Sequence, residues 1–166
     1  MFFTKNDLSQ DIRSKIIDMC NSRLADAIDL QGQCKQAHWN IKGPSFIALH
    51  KLFDEIFESI SDYVDLLAER VIQLGGVAHG LLQDALDNTD MPEFKPASQL
   101  GKDMCESLSN SLAAFSKNCR KNIKDSEDIG DLVTLDIMTE IARGTDKWLW
   151  FVEAHLQISE QSGNPS

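Results

Sequence analysis

The chain is short of the residues that interrupt helices: four prolines and nine glycines in 166 residues. That scarcity excludes collagenous, linker-like and loop-dominated architectures. Alternating runs of β-branched and aromatic residues are almost absent, which argues against strands. The four cysteines, Cys20, Cys34, Cys105 and Cys119, show no C-x-x-C pair and no zinc-type spacing. Idle thiols in a reducing cytoplasm are the expectation. No apolar stretch approaches the roughly 18 residues a membrane span needs. The opening MFFTKNDLSQ turns polar by Thr4, so it lacks a signal-peptide hydrophobic region and a cytoplasmic location is expected. Basic residues are scarce too: 16 Lys and Arg against 26 Asp and Glu, a net charge of −10. A protein that binds nucleic acid by neutralising phosphates would carry the opposite balance.

What is present is an ordinary globular composition, 42% apolar and 25% charged. It fits one domain over 1–166, with 1–8 and 159–166 as flexible tails. Four helical stretches are expected, at about Ser9–Asn40, Ser45–Leu74, Ser98–Lys124 and Glu127–Ile158. Ser98 and Ser126 are the expected N-caps of the last two. Gly43-Pro44, Gly75-Gly76 and Pro92–Pro96 mark the breaks. The second stretch has the stepped series Phe46, Leu49, Phe53, Ile56, Ile60, Val64, Leu67, Val71 and Leu74, one stripe of a bundle helix. The expectation is an all-α four-helix bundle. Its long second-to-third connection should hold a short extra helix at LLQDALDN and cross over, so that the helices it joins run parallel.

The second helix also carries His50, Asp54, Asp65 and Glu69 on one arc, more than about 90° from the apolar stripe at 100° per residue. Ile47, Phe57, Ala68 and Ile72 share or border that arc, which is apolar for a solvated face. A second buried surface between subunits accounts for the mixture. His50/Asp54 and Asp65/Glu69 are each one turn apart, but the two pairs are separated by about 16 Å along the axis. With metal–ligand bonds of roughly 2 Å, one straight helix cannot bring both pairs to one ion. A second copy running antiparallel across a two-fold axis can, and His38 from the first helix is placed to join. Mixed imidazole and carboxylate donors suit iron, manganese or zinc. No Glu is followed three residues later by His, so a centre built from Glu-x-x-His motifs within one subunit is not expected.

The segments QAHWNIKGPSFIALHKLFDEIF, YVDLLAERVIQLGG and DKWLWFVEAHL closely resemble the Dps family of mini-ferritins, over roughly Leu24 to Gln157. The resemblance implies a ferritin-like fold and a hollow shell of twelve subunits. It also implies oxidation of Fe²⁺, preferentially by hydrogen peroxide, at inter-subunit sites with two irons each, and storage of the ferric product as mineral. Zinc and manganese are possible competitors. It assigns His38, His50 and Asp54 from one subunit, with Asp65 and Glu69 from its two-fold mate, as the ferroxidase ligands. It matches Trp39 to a tryptophan near the site, a possible sink for a stray oxidising equivalent. It also places acid-lined pores near the start of the last helix, where the run Asp125, Glu127, Asp128, Asp131, Asp136 and Glu140 lies; Asp128, Asp131 and Asp136 are the pore candidates.

Outside these motifs the expectations are structural. His79 is read as structural or exposed and His155 as a packing residue on the last helix, with Trp148, Trp150 and Phe151 as core or interface anchors. Cys34, one turn before His38, would sense oxidation only if exposed. Direct DNA binding is expected to be weak or absent: residues 1–13 set Lys5 and Arg13 against Asp7 and Asp11, and 152–166 carry only Glu153 and Glu160. The alternatives are a nucleoid-compacting protein with incidental iron binding, disfavoured by tail charge, and a bundle used only as a surface antigen, disfavoured by the complete ligand set.

Overall fold

Caps and turns fix where each helix begins and ends in the computed structural model, which describes residues 1–157. Helix α1 (Gln10–Asn40) starts at Ser9, whose hydroxyl accepts from the Ile12 amide at 3.4 Å. It stops at a tight turn around Gly43, whose φ of +106° favours glycine. Helix α2 (Phe46–Gln73) follows, and Gly75 (φ +83°) closes it. A short α3 (Leu82–Asn88) occupies the long connection, as the LLQDALDN segment led one to expect. Helices α4 (Gly101–Ile129) and α5 (Leu132–Glu153) complete the bundle. Among the described residues the only strand-like pairing is an isolated bridge between Lys42 and Leu100.

The last two helices depart from their expected limits. Ser98 does not cap α4: its hydroxyl accepts from Leu100 N and bonds Asp103, and the helix begins at Gly101. Ser126 is not a cap but a fully buried residue near the end of α4. The junction lies four residues later, where left-handed Gly130 (φ +89°) donates to the carbonyls of Ser126 and Glu127. Such a glycine satisfies end carbonyls at no Cβ cost, and it was the stronger stop signal. Asp131 then caps α5, accepting from Val133 N and Thr134 N. The end expected at Ile158 lies outside the described residues, as does the tail 159–166; α5 itself closes at Glu153.

Side-chain pairs across the bundle give its directions. Asp26 meets Asn118 and Gln33 meets Ser111, so α1 and α4 run antiparallel. The short Ile41–Ser45 turn makes α1 and α2 antiparallel as well, which leaves α2 and α4 parallel, as a crossover requires. Phe53, Phe115, Leu24, Leu30, Leu67 and Ile141 are fully buried between the helices. Each such side chain contributes about 1.5–3 kcal/mol relative to exposure.

The crossover is tied down by polar contacts rather than by packing alone. Buried Asp26 pairs with Arg23, accepts from Asn118 Nδ2 at 3.0 Å and takes the Asp90 amide at 2.8 Å. Gln33 donates to the Pro92 carbonyl at 3.0 Å. The segment 1–8, expected as a tail, runs back over the α2 terminus. Phe2 N donates to Gly75 O at 2.6 Å, and the Arg13 guanidinium bridges the carbonyls of Leu8 and Leu74.

Candidate metal centre

The α1–α2 hairpin places His38, in the last turn of α1, against His50, in the second turn of α2. The last carbonyls of a helix lack partners within it, and that of His38 is one of them. His50 Nδ1 supplies the missing donor at 2.9 Å, and His38 Nδ1 returns the contact to the His50 carbonyl at 2.7 Å. A carbonyl only accepts, so both Nδ1 atoms carry a proton, and in the neutral ring that leaves each Nε2 with a lone pair. This is the arrangement that fixes the tautomer and orientation of metal-ligating imidazoles. The rings stack at 3.7 Å with planes 22° apart, and Phe46 lies 5.1 Å from the His50 ring.

Asp54, one turn beyond His50, has an oxygen 3.8 Å from His38 Nδ1. That oxygen is bonded by Lys35, one turn before His38 on α1. The Lys35 hydrogen bond holds the Asp54 carboxyl below the usual carboxylate range; partial burial opposes it, and the Lys35 charge and the two imidazoles add to it. The Lys35 ammonium also sits 4.2 Å over the Phe57 ring. Sequence reading did not single out Lys35. Its signal was the i, i+3 spacing to His38, which puts it on the same face of α1; Cys34, its neighbour, faces the core instead. Burial pushes the Cys34 thiol up, which removes it as an oxidation sensor.

Asp65 and Glu69 are exposed on α2 and do not join His38, His50 and Asp54. Among the described residues no three His, Cys, Asp or Glu side chains gather closely enough to hold an ion. His50/Asp54 and Asp65/Glu69 therefore stand as two pairs at separate heights on α2, with His38 beside the first. Large apolar side chains are exposed near them in sequence: Trp39 is 68% exposed, Ile47 60% and Ile72 57%.

The remaining candidates fall as follows. Asp128 is exposed in the last turn of α4, paired with Lys124 at 3.0 Å, and Asp136 is exposed on α5. Asp131 does not belong with them. It is buried, capping α5 and paired with Arg70 at 2.8 Å, so its oxygens are committed to the α4–α5 junction. Trp148 is in the core, Phe151 is partly buried, and Trp150 and His79 are exposed; His155, expected to pack on the last helix, lies exposed just past its end at Glu153.

A four-helix bundle whose long crossover leaves α2 and α4 parallel has the ferritin-like architecture, and a family model described as a ferritin-like domain matches residues 17–161. The DNA protection during starvation protein of Agrobacterium fabrum is 42% identical over 154 residues, covering 93% of this chain and 95% of that one. That of Mycolicibacterium smegmatis is 30% identical, covering 93% and 84%. The solved structure of Mycobacterium smegmatis Dps in a tetragonal form aligns with a TM-score of 0.90 at 29% identity, over 96% of each chain. The chain belongs to the Dps family of mini-ferritins.

Proposed function

We propose that this protein oxidises Fe²⁺ at centres built between subunits and stores the ferric product in a hollow dodecamer, with hydrogen peroxide as the preferred oxidant. Iron is the substrate and cargo of the reaction. His38, His50 and Asp54 of one copy and Asp65 and Glu69 of its two-fold mate bind it. The observation that carries this reading is the reciprocal bonding of the two imidazoles, which leaves both Nε2 lone pairs available at an exposed apolar surface. Half a donor set embedded among exposed Trp39, Ile47 and Ile72 is what a two-fold metal-bearing interface leaves visible on an isolated subunit.

Two Fe²⁺ ions each give up one electron. Together they break the O–O bond of one peroxide, and two protons complete two waters, so no hydroxyl radical is released. In this reading Glu69 would be the bridging or central carboxylate, and Asp65 would attract and position the second iron. Trp39, beside His38 and outside the core, is available to take up a stray oxidising equivalent. Zn²⁺ and Mn²⁺ fit the same donors and compete.

Iron entry is assigned to the acidic stretch around Asp128 and Asp136. Asp125, Glu127 and Asp128 sit at the C-terminal end of α4, where the helix dipole disfavours negative charge. An electrostatically unfavourable cluster of this kind focuses potential for an incoming cation. Direct DNA compaction is weak: Arg13 is engaged by two carbonyls, and Lys5 is outnumbered by Asp7 and Asp11. Stable retardation of plasmid at low salt without divalent metal would reverse that reading. No helix among the described residues is long and apolar enough to cross a membrane, and a cytoplasmic site of action follows the family.

The direct test adds Fe²⁺ anaerobically, then peroxide, and follows ferric absorbance in the wild type and in His50→Ala/Asp54→Ala. The double variant is expected to lose rapid oxidation. Equal rates and equal iron retention would overturn the ligand assignment. Light scattering tests the shell, because a stable monomer cannot form the centre at all.

A further inference from the structure

We infer that the bundle core binds one water molecule as a fixed structural ligand, held by Arg23 Nε, Asn122 Oδ1 and Ser126 Oγ. Among the described residues these are the three buried side-chain polar atoms that no protein group bonds. Their residues are 6%, 7% and 0% exposed. Each such group is costly to leave unpaired, so three close together call for a common partner. The helix register brings them to one place. Asp26 meets Asn118 and Gln33 meets Ser111 across antiparallel α1 and α4. One turn from Asp26 toward the start of α1 is Arg23, and one turn from Asn118 toward the end of α4 is Asn122, so these two lie at the same level. Ser126 is one further turn along the Asn122 face, where such neighbours stand about 5–6 Å apart. Nearby charges agree with that level. Beyond its own burial, the Cys119 thiol feels Arg23 and Asp26, and the Cys20 thiol feels Arg70 and Asp131. The three atoms thus occupy the interval between two buried ion pairs, Arg23–Asp26 and Arg70–Asp131.

The donor chemistry selects the ligand. Arg23 Nε can only donate and Asn122 Oδ1 can only accept, so the ligand must do both. The Asn122 amide is not free to turn over. Its Nδ2 donates to Asp125 Oδ2 at 3.4 Å, and the reverse orientation would set its oxygen against that carboxylate and its NH2 against the guanidinium. The guanidinium is already balanced by Asp26 and Asp90 through its two Nη atoms, which excludes an anion, and its own charge excludes a cation. A single water accepts from Arg23 and donates to Asn122 and Ser126, which is the set of about three bonds a buried water makes. It joins two parts of the fold that share no direct side-chain bond. One is the crossover anchor, where Asp26 takes the Asp90 amide. The other is the end of α4, where the Gly130 and Asp131 amides both bond the Ser126 carbonyl at 2.9 Å.

The test combines a crystal structure of the assembled wild type, at a resolution that shows ordered water, with thermal unfolding of Ser126→Ala and Asn122→Leu at one protein concentration. A water oxygen is expected about 2.7–3.2 Å from all three atoms. Density for no water there, or a direct protein partner for Arg23 Nε, would overturn the site. Ser126→Ala separates a hydrated core from a dry one. A hydroxyl bonded by water should lower Tm by about 2–4 °C when removed, whereas an unbonded hydroxyl is better absent. An unchanged or raised Tm in Ser126→Ala would therefore overturn the site as well. Asn122→Leu keeps the side-chain size but neither polar end, so its structure should lose the water; a water still in place would overturn the role of Oδ1. Ser126→Ala should oxidise Fe²⁺ at the wild-type rate, which keeps failure of this site distinct from failure of the ferroxidase reading. Light scattering on each variant establishes that the compared species are the same assembly.

Discussion

The α4–α5 junction offers the sharpest test of the structure, because one side chain there holds three things together. Asp131 caps α5 through the Val133 and Thr134 amides at 3.1 and 3.2 Å, and accepts from the Thr134 hydroxyl. It also receives Arg70 Nη2 on both oxygens, at 3.0 and 2.8 Å. The two side chains of the pair are 5% and 2% exposed. Asp131→Asn keeps an oxygen for the cap but leaves the Arg70 charge buried without its counter-charge. Removing one partner of such a pair costs about 3–5 kcal/mol. For a chain of this size that corresponds to a fall in Tm of roughly 6–20 °C, at 2–4 °C per kcal/mol. Replacing Arg70 by Met in the same background removes the stranded charge, so Arg70→Met/Asp131→Asn should be more stable than Asp131→Asn alone. The cycle is measured by thermal unfolding at one protein concentration, since assembly makes stability concentration-dependent. Coupling below about 0.5 kcal/mol would refute a charge-dependent junction.

The same carboxylate predicts a pH dependence with a definite sign. Desolvation raises its pKa, but the Thr134 hydroxyl, the Arg70 hydrogen bond, the Thr134 amide and the Arg70 charge outweigh that and leave it lowered. A carboxyl lowered in the folded state stabilises it above the unfolded value of about 3.9. That stability is lost as the pH falls from there through the folded value. Asp131→Asn should therefore show a shallower loss of stability in this acid window than wild type. Below its unfolding temperature it should also take up iron at the wild-type rate. Slowed entry with intact folding would return Asp131 to the pore.

Three further outcomes follow from side-chain environments. Burial pushes the Cys20 and Cys119 thiols up to about 12 and Cys105 up to about 11, and raises Cys34 as well. None should react with iodoacetamide at pH 8 in the native protein, and all four should react on unfolding; rapid native labelling of any one would contradict its burial. Asp26→Ala leaves Arg23 and the Asp90 amide without their shared acceptor and should cost about 3–5 kcal/mol. Hydrogen exchange at the Asp90 amide should accelerate by more than the global loss of stability explains, and equal protection would show that the crossover is held by other contacts. At Gly144 an added Cβ would lie 1.8 Å from the Tyr63 hydroxyl, so Gly144→Ala should destabilise by about 1–3 kcal/mol. Tyr63→Phe should recover part of that loss, and no recovery would place the strain elsewhere.

Much of this was legible in the sequence because it depends on periodicity. The α2 stripe from Leu49 to Val71 is buried as its spacing demanded, Val64 only in part, and the arc from Ile47 to Ile72 mixes exposed and half-buried side chains, apolar and polar. The separation of His50/Asp54 from Asp65/Glu69 also follows from the rise of one helix. The misplaced α4–α5 junction has a different cause. Ser126 and Asp131 are both competent N-caps, and only the left-handed geometry available to Gly130 decides between them. Acidity misled for the same reason. Asp131 looks like its neighbours in a run of acids, but its partner Arg70 is 61 residues away in the chain. A partner at that separation leaves no local signal, and a buried carboxylate is told from an entry-pore carboxylate only by what faces it.

Lys35 shows the same limit beside the two histidines. Side chains of metal-ligating type announce themselves by residue type, and a cation paired with one of them does not. On the sequence it is one lysine among many on a helix. Only the hairpin that stacks His38 on His50 brings it to Asp54. The two histidine contacts have the same origin, since each imidazole answers a carbonyl twelve residues away across the turn. The turn between α1 and α2 therefore orders this corner of the molecule: it orients both imidazoles, brings the Lys35 ammonium to Asp54 and leaves Asp65 and Glu69 apart from them, further along α2.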